Sequence, residues 1–503
     1  MPSDRNDKKS AIQLPAVLAI GFTGHRSLPN EAASRKLIYD FLAEKRQNTS
    51  EILLGVSSVA AGGDLLFAES CIALEIPLRV LLPLPRDEFQ KDFDAATWSR
   101  AEQAMSRALS VEVIGKEGQR AERYYECGLE TVLESQWLMA LWNGEAAKGL
   151  GGAEQIVSFG RQIGRPVVWI HSVTGVVQLE GEKGQKELPP IDGDPELKFL
   201  NRLGDVGASV VDGTPGDLVE AWLAKLDANA VLVAPQVRRL AALPILCTAV
   251  AAVVSGGASR MHSSGVWAGA GAALGLAAAL LPAALRVGKR QALWVRIRTP
   301  AEVTRSVVAM WDAPVQYEVL GPEILPELRG MIVSLNFLKS QRRASEDGGV
   351  ETFKKKYLEE RVIDQKGYFL RQSIKSAEKG RRYRLISKVS VISGVVLAAW
   401  AFGGRSLLKT SYAASGGSWL PLVASALFQV VTVAGALLVV HECDRRQRRY
   451  LEMHHSLASW EMELRAFHTW GPVVQVVSKI ERALLVELLE WRSLLQNTKM
   501  PRK

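Results

Sequence analysis

Four apolar runs in the second half of the chain, Leu240–Ser259, Gly265–Leu285, Leu385–Gly404 and Ser418–Val440, restrict its folding more than any other feature. A bilayer core of ~30 Å takes about 20 apolar residues in helix, and each run approaches or meets that length. The third carries Lys388 and Ser390 near its start. The runs pair as two hairpins, closed by a five-residue turn, Arg260–Ser264, and a thirteen-residue one, Arg405–Gly417. Those turns hold only Arg260, Arg405 and Lys409, whereas the opposite ends hold three acid-free basic stretches, Arg286–Arg298, Lys379–Lys388 and Arg445–Arg449, with fourteen Lys/Arg between them. The positive-inside rule then predicts a multi-pass protein of the inner (plasma) membrane with both termini and the middle segment in the cytoplasm.

The net charge of +9 is therefore concentrated beside apolar runs, and the remainder of the chain is net acidic. That distribution points to a lipid bilayer as partner and gives no footprint for a specific nucleic acid. The four cysteines, Cys71, Cys127, Cys247 and Cys443, stand singly. Neither a zinc site nor a disulfide framework is expected, and a reducing compartment fits. No signal peptide is expected over the polar Met1–Ser10 stretch.

From Ala16 to about Ser172 short continuous apolar runs alternate with helical patterns. The runs are Val17–Phe22, Ile52–Val59, Leu78–Leu82, Val111–Ile114, Trp137–Trp142 and Val167–Ile170. Between them lie Glu31–Arg46, Asp64–Ile76, Thr97–Leu109, Glu122–Gln136 and Ala153–Ile163. Unbroken apolar strands are those covered on both faces, so this reads as a Rossmann-like wound α/β sheet. Ligands of such sheets sit outside the carboxyl ends of the strands. Three turns there carry glycine: "GFTGHR" at Gly21–Arg26, "AAGGD" at Ala60–Asp64, and "NGEAAKGLGGAEQ" at Asn143–Gln155. The first is not the Gly-x-Gly-x-x-Gly dinucleotide fingerprint. Backbone amides of such turns hold anionic oxygens, an arginine such as Arg26 offers a fork to phosphate, and Asp64 or Glu154 can accept from ribose hydroxyls.

These turns, with "PLRVLLPLPRDEFQKDF" and "GLGGAEQIVSFGRQIGRPVVWI", resemble the SLOG superfamily over roughly residues 16 to 175. Its members include LOG-type hydrolases, DNA-uptake proteins and channel sensor regions. The resemblance implies a nucleotide-derived ligand of cyclic-nucleotide or ADP-ribose type, with no other cofactor. Carried over by position, the implied ligand-binding residues are Gly24, His25, Arg26, Gly62, Gly63, Asp64, Asn143, Gly144, Gly151, Gly152 and Glu154. The Gly-Gly-x-Gly-Thr turn of LOG-type hydrolases is replaced here by "GLGGAEQ", which speaks for binding over hydrolysis.

Beyond Thr174 a polar stretch reads as a loop, and Thr214-Pro215 opens a helix that is either a coupling element or a surface helix on the sheet. "KKKYLEERVIDQKGYFLRQSIKSAEKGRRYRL" places Tyr357, Arg361, Gln365 and Tyr368 on one helix face, a stripe that predicts a partner. With the last hairpin and its continuation to about residue 495, this segment is similar to SLATT domains, two-span effectors associated with SLOG sensors. The expected organisation is a disordered tail over 1–15, an α/β domain over 16–235, a first hairpin over 236–300, cytoplasmic helices over 301–384, a second hairpin over 385–442 and C-terminal cytoplasmic helices over 443–503.

No acidic or basic residue lies deep in any run, which counts against ion-coupled transport. Ser390 and Ser393 on the third run, and Ser425, Gln429 and Thr432 on the fourth, form polar stripes that either line a pore in a homo-oligomer or bond between helices. His441–Asp444 and His454–His455 lack metal-ligand spacing, so no metal is expected. The leading expectation is a nucleotide-gated membrane effector that permeabilises the membrane, in the bacterial antiviral setting the resemblance implies. The alternative is a membrane-anchored nucleotide or nucleoside-monophosphate hydrolase of LOG-like chemistry.

Overall fold

The computed structural model describes residues 12–115, 118–147, 149–181, 188, 194–206, 213–258, 264–284, 287–317, 319, 324–342, 349–407 and 420–496. The chain forms two compact units, one of Met1–Lys225 with Gln316–Ala344, the other of Leu226–Val315 with Ser345–Lys503.

The first unit is built on seven strands: β1 (Val17–Gly24), β2 (Ile52–Ser57), β3 (Leu78–Leu82), β4 (Ser110–Val113), β5 (Trp137–Trp142), β6 (Val167–His171) and β7 (Val177–Glu180). Their order is β4-β3-β2-β1-β5-β6-β7. All neighbours run parallel except β6 and β7. Helices α1 (Glu31–Gln47), α2 (Gly63–Ala73), α3 (Arg86–Phe89), α4 (Ala95–Arg107), α5 (Arg120–Glu134) and α6 (Ala153–Gln162) alternate with the strands. One face of the sheet buries Leu18, Ile20 and Phe22 against Ile38 and Leu42 of α1, Leu66 and Phe67 of α2 and Trp98 of α4. The other buries Val17, Ala19, Leu54, Val56, Leu138 and Ala140 against Cys127, Val132 and Ile156 of α5 and α6. The apolar runs are continuous because alternate residues serve opposite faces, each with its own helical layer.

Three features depart from the expected organisation. A seventh strand, β7, pairs antiparallel with β6 inside the stretch expected to be loop. The expected disordered tail ends earlier than residue 15: Ile12 and Leu14 are buried, and the Leu14 amide and carbonyl both bond the Asn201 side chain on α7 (Pro195–Asn201), at 3.0 Å each. Residues 316–344, expected among the cytoplasmic helices, belong to the α/β unit. There, α11 (Arg329–Ser340) seats Phe337 in the core beside Val17 and Ala19.

Helix α8 (Pro215–Ala258) begins as predicted at Thr214-Pro215, and the chain leaves the first unit within it. Its start is amphipathic: Trp222 and the whole Lys225 side chain are buried, while Asp217, Glu220 and Ala224 are exposed. The Lys225 ammonium donates to the carbonyls of Ile12 (2.8 Å) and Asn201 (3.0 Å) and pairs with Asp205 (2.9 Å).

The second unit is helical: the rest of α8, then α9 (Ser264–Ala284), α10 (Val287–Ala309), α12 (Val350–Tyr357), a π-turn (Leu358–Ile363), α13 (Asp364–Leu407), α14 (Leu420–Val440), α15 (Cys443–Ala466) and α16 (Trp470–Gln496). Two helical stretches, Val350–Trp400 and Val423–Ala466, contain windows long and apolar enough to cross a membrane. Only 11% and 12% of those windows are buried, so they are not core helices of this unit; Ile392, Val396 and Trp400 are each at least 60% exposed. Of the four expected spans, these two alone are supported among the described residues. Among the described residues the first hairpin has only the shorter apolar helices Pro244–Val254 and Gly269–Leu280, which approach each other where Gly275 meets Ala251.

The stripe from Tyr357 finds its partner inside the chain. Glu481 of α16 is wholly buried and accepts from the Tyr357 hydroxyl (2.8 Å) and from Arg361 Nε (2.9 Å) and Nη2 (2.7 Å). The π-turn adds a residue to the helical register, so the stripe does not continue: Tyr368 is 41% exposed and Phe369, 3% exposed, packs on Tyr450. Beside this pair, and against its own burial, Glu302 is held below the usual carboxylate range by Arg305 and Arg298. Both arginines also reach Asp227.

Removing one member of a buried ion pair strands the other at a cost of about 3–5 kcal/mol. Glu481→Leu should accordingly lower the melting temperature of the detergent-solubilised protein sharply, and adding Arg361→Met should restore most of it. A double variant as unstable as the single one would show that the bare charge is not the source of the loss.

Candidate functional site

The candidate site lies at the carboxyl ends of the strands. β1 lies between β2 and β5, so the chain order reverses at its side, where wound sheets leave a crevice. The first glycine turn leaves β1, the second leaves β2 and the third leaves β5. All three therefore stand on one rim.

The first two turns are clasped through their backbones. The His25 amide donates to the Leu141 carbonyl and the His25 carbonyl accepts from the Gly63 amide, each at 3.0 Å. Gly62 makes this possible. Its φ is +91°, and a Cβ there would collide with the His25 and Arg26 carbonyls. The Gly63 amide is thus engaged within the protein. Asp64, in the first turn of α2, closes the clasp from beneath: its carboxylate accepts from Ser58 Oγ (2.8 Å) and lies against the Gly24 amide. Burial pushes this carboxyl up to about 7, against the opposing pull of Ser58, Arg26 and Gly24.

Arg26 points out of the clasp and is 54% exposed along its side chain. Its guanidinium stacks over the Tyr124 ring, 4.6 Å from the centroid, and comes within 4.0 Å of Asp92. Asp92 also binds the Tyr124 hydroxyl and pairs with Arg120 at 2.6 Å. Tyr124 also stands close to the third turn, since a Cβ at Gly151 (φ +86°) would lie 3.5 Å from the Tyr124 Cβ and 3.2 Å from the Tyr125 amide. The Gly151 amide donates to Gln155 Oε1 at 2.8 Å. Gly152 caps α6 without a side-chain bond; its carbonyl accepts from the Gln155 and Ile156 amides, which leaves the Ala153 and Glu154 amides to meet an acceptor, while Glu154 sets a negative charge among them. Asn143 Oδ1 accepts from the Glu145 amide, and Gly144 has φ +82°. The rim thus gathers all eleven residues proposed for binding, in unequal roles. Arg26 and the third turn face outward, whereas Gly62, Gly63 and Asp64 hold the frame.

Sequence reasoning missed Ser58, Asp92, Arg120, Tyr124 and Gln155. Tyr124 and Arg120 lie on a helix with an ordinary amphipathic pattern, and only the packing of α5 at the rim gives them a place in the site.

Of the polar residues on the apolar helices, Ser390 is buried and Ser393 and Gln429 are half-buried, while Ser425 and Thr432 are exposed. The Thr432 hydroxyl bonds the Phe428 carbonyl of its own helix at 3.2 Å. The two helices meet closely where Gly394 faces the Phe428 ring. The described residues contain no group of three or more His, Cys, Asp and Glu that could hold a metal. No protein-family model matches the chain, and no curated protein matches it.

Two outcomes follow from the clasp. Gly62→Ala should destabilise the first unit and loosen the rim, read as new proteolytic cleavage near residues 58–64. Asp64 ionises at an ordinary 3.8 when unfolded and about 7 when folded. Between those values the folded chain keeps a proton that the unfolded one has lost, so this residue's contribution to stability falls as pH rises through that window and is level above it. Asp64→Asn should remove that dependence, so the melting temperature of wild type relative to the variant should fall between pH 4 and pH 7.

Proposed function

We propose that this protein is a ligand-gated membrane effector, in which the α/β unit binds a nucleotide-derived second messenger, of cyclic-nucleotide or ADP-ribose type, and the apolar helices of a homo-oligomer then permeabilise the membrane. In this reading both hairpins enter the bilayer, giving four spans with the termini in the cytoplasm, and the first hairpin does so as a shorter, closely packed pair. The resemblance to SLOG and SLATT domains supplies the setting of bacterial antiviral defence.

The observation that carries the reading is Arg26, an exposed guanidinium stacked on Tyr124 at the rim where three glycine turns meet. A guanidinium fork suits a phosphate, an aromatic ring beside it suits a base, and an uncapped helix start suits anionic oxygen. The second support is the apolar surface of α13 and α14, which is exposed and bordered by Arg381, Arg382, Arg384 and Arg445–Arg449. Gating requires that the ligand prefer the open arrangement; moving a 1:99 population to 99:1 takes ~5.5 kcal/mol, within reach of several phosphate contacts repeated over an oligomer.

The test is dye release from liposomes bearing the full-length protein, over a panel of cyclic and ADP-ribose-type nucleotides. A nucleotide that binds should release dye, and Arg26→Ala should weaken its binding at least about tenfold, as loss of a charge-assisted bond requires. Release indifferent to every nucleotide would refute gating, and absence of binding would refute the sensor. The hydrolase reading draws support from Asp64, whose carboxyl near neutrality suits a general base. It requires steady turnover of a bound nucleotide that disappears in Asp64→Asn.

A further inference from the structure

A cavity of about 220 Å3 opens within the first unit, on the sheet face turned away from α1, α2 and α4. It lies between β2, α5 and α11, at the end of α5 opposite the rim residue Tyr124. It exceeds the ~150 Å3 that admits a benzene ring. Leu54, Val56, Val333 and Phe337 give it apolar walls, while Glu130 and Gln316 bring polar groups to it.

Two acceptors on its wall have no donor among the described residues, although Arg329 lines it as well. Arg79, buried at the cavity edge, is fully committed: its guanidinium binds Glu134 through Nε and Nη2, Glu112 at 2.8 Å and Ser110 at 3.1 Å. Glu130, one helical turn before Glu134, makes neither an ion pair nor a hydrogen bond among the described residues. Burial and the Glu134 carboxylate push it up to about 7. Gln316 donates its amide to Ser340 Oγ at 2.8 Å, but its Oε1 is buried with no hydrogen-bond partner. Glu112 and Glu134 thus take up Arg79, and the Glu130 carboxyl and an idle amide oxygen are left beside them. Such groups are costly to bury unless something donates to them.

We propose that this cavity is a second ligand site, which takes a small molecule carrying an ammonium group on a short aliphatic body. The ammonium supplies three donors and a positive charge to Glu130 and Gln316 Oε1, and the body fills the space between Val56 and Phe337. A free aliphatic amine and an apolar amino acid share this chemistry. Arg329, also on the cavity wall, favours the amino acid because it can take a carboxylate.

The test is calorimetric titration of the full-length protein in detergent with isoamylamine, with L-leucine, and with isocaproate, which has the body but no ammonium. Both ammonium compounds should bind and isocaproate should not. Tighter binding of leucine identifies the amino acid as the source, and tighter binding of isoamylamine the simple amine. Glu130→Gln should weaken binding about tenfold or more and Gln316→Leu about threefold, with Arg26→Ala leaving it unchanged. Gln316→Leu, which removes no charge, stands in where Glu130→Gln fails to fold. Failure of both ammonium compounds to bind would overturn the proposal, as would equal binding of isocaproate or undiminished binding in a variant that melts like wild type.

Discussion

The rim of the α/β unit depends on one close contact: the carbonyls of His25 and Arg26 occupy the space where any other residue at position 62 would place its Cβ. Because Gly62 yields that space, the Gly63 amide bonds the His25 carbonyl, and the β1 and β2 turns become one rigid piece. Asp64 reinforces it from within, where burial keeps its carboxyl largely uncharged below neutrality. The cost of such a buried acid is accepted at a place where it fixes two turns at once. Arg26, the residue after this clasp, is then free to lie outward on Tyr124.

The helical unit solves a different problem. Its apolar helices have large exposed surfaces that water would penalise, yet its other end carries a buried set of charges, Arg361 with Glu481 and Glu302 with Arg298 and Arg305. Hydrophobic burial alone tolerates many registers between helices, whereas a wholly buried carboxylate that must meet a guanidinium and a phenol tolerates few. Further along α13 the register is kept by small residues and ion pairs: Gly380 lets Cys443 approach, Lys366 pairs with Glu461 and Arg384 with Asp444. Arg384, from one of the basic stretches beside the apolar runs, thus also serves as a pairing group between helices.

Most of the α/β architecture was legible in the sequence because each strand is an unbroken apolar run and each helix a separate periodic one. The six expected strands and five expected helices all form, with small shifts at their ends. What escaped is informative. Strand β7 is an edge strand with exposed valine and little burial, so its pattern is weak. Helix α11 is amphipathic like its neighbours, and nothing local says that Phe337 belongs to a sheet formed three hundred residues earlier. The Tyr357 stripe was read with an ideal helical period, and the π-turn at Leu358–Ile363 moved its second half by one residue, so that Phe369 replaces Tyr368 at the buried position. The glycines of the rim were visible individually; Tyr124, which stands close to two of the turns, was hidden in an ordinary helix.

On the proposed reading, Arg26 and Asp64 divide the labour of the rim in a way that favours capture of a ligand over its cleavage. A general base must reach the proton it removes. Asp64 is 8% exposed and its oxygens are occupied by Ser58 and the Gly24 amide, so the group best tuned to move a proton is the one least placed to touch a ligand. Arg26 has the opposite character: it is exposed, permanently charged, and held by a ring and a distant carboxylate that a phosphate can displace. Exchange of the Asp92 contact for a phosphate would free Asp92 for Arg120 and Tyr124 alone. A change of partner at one arginine then reaches the start of α5, close to Gly151 of the third turn. Such a local rearrangement would suit the proposed sensor better than the hydrolase.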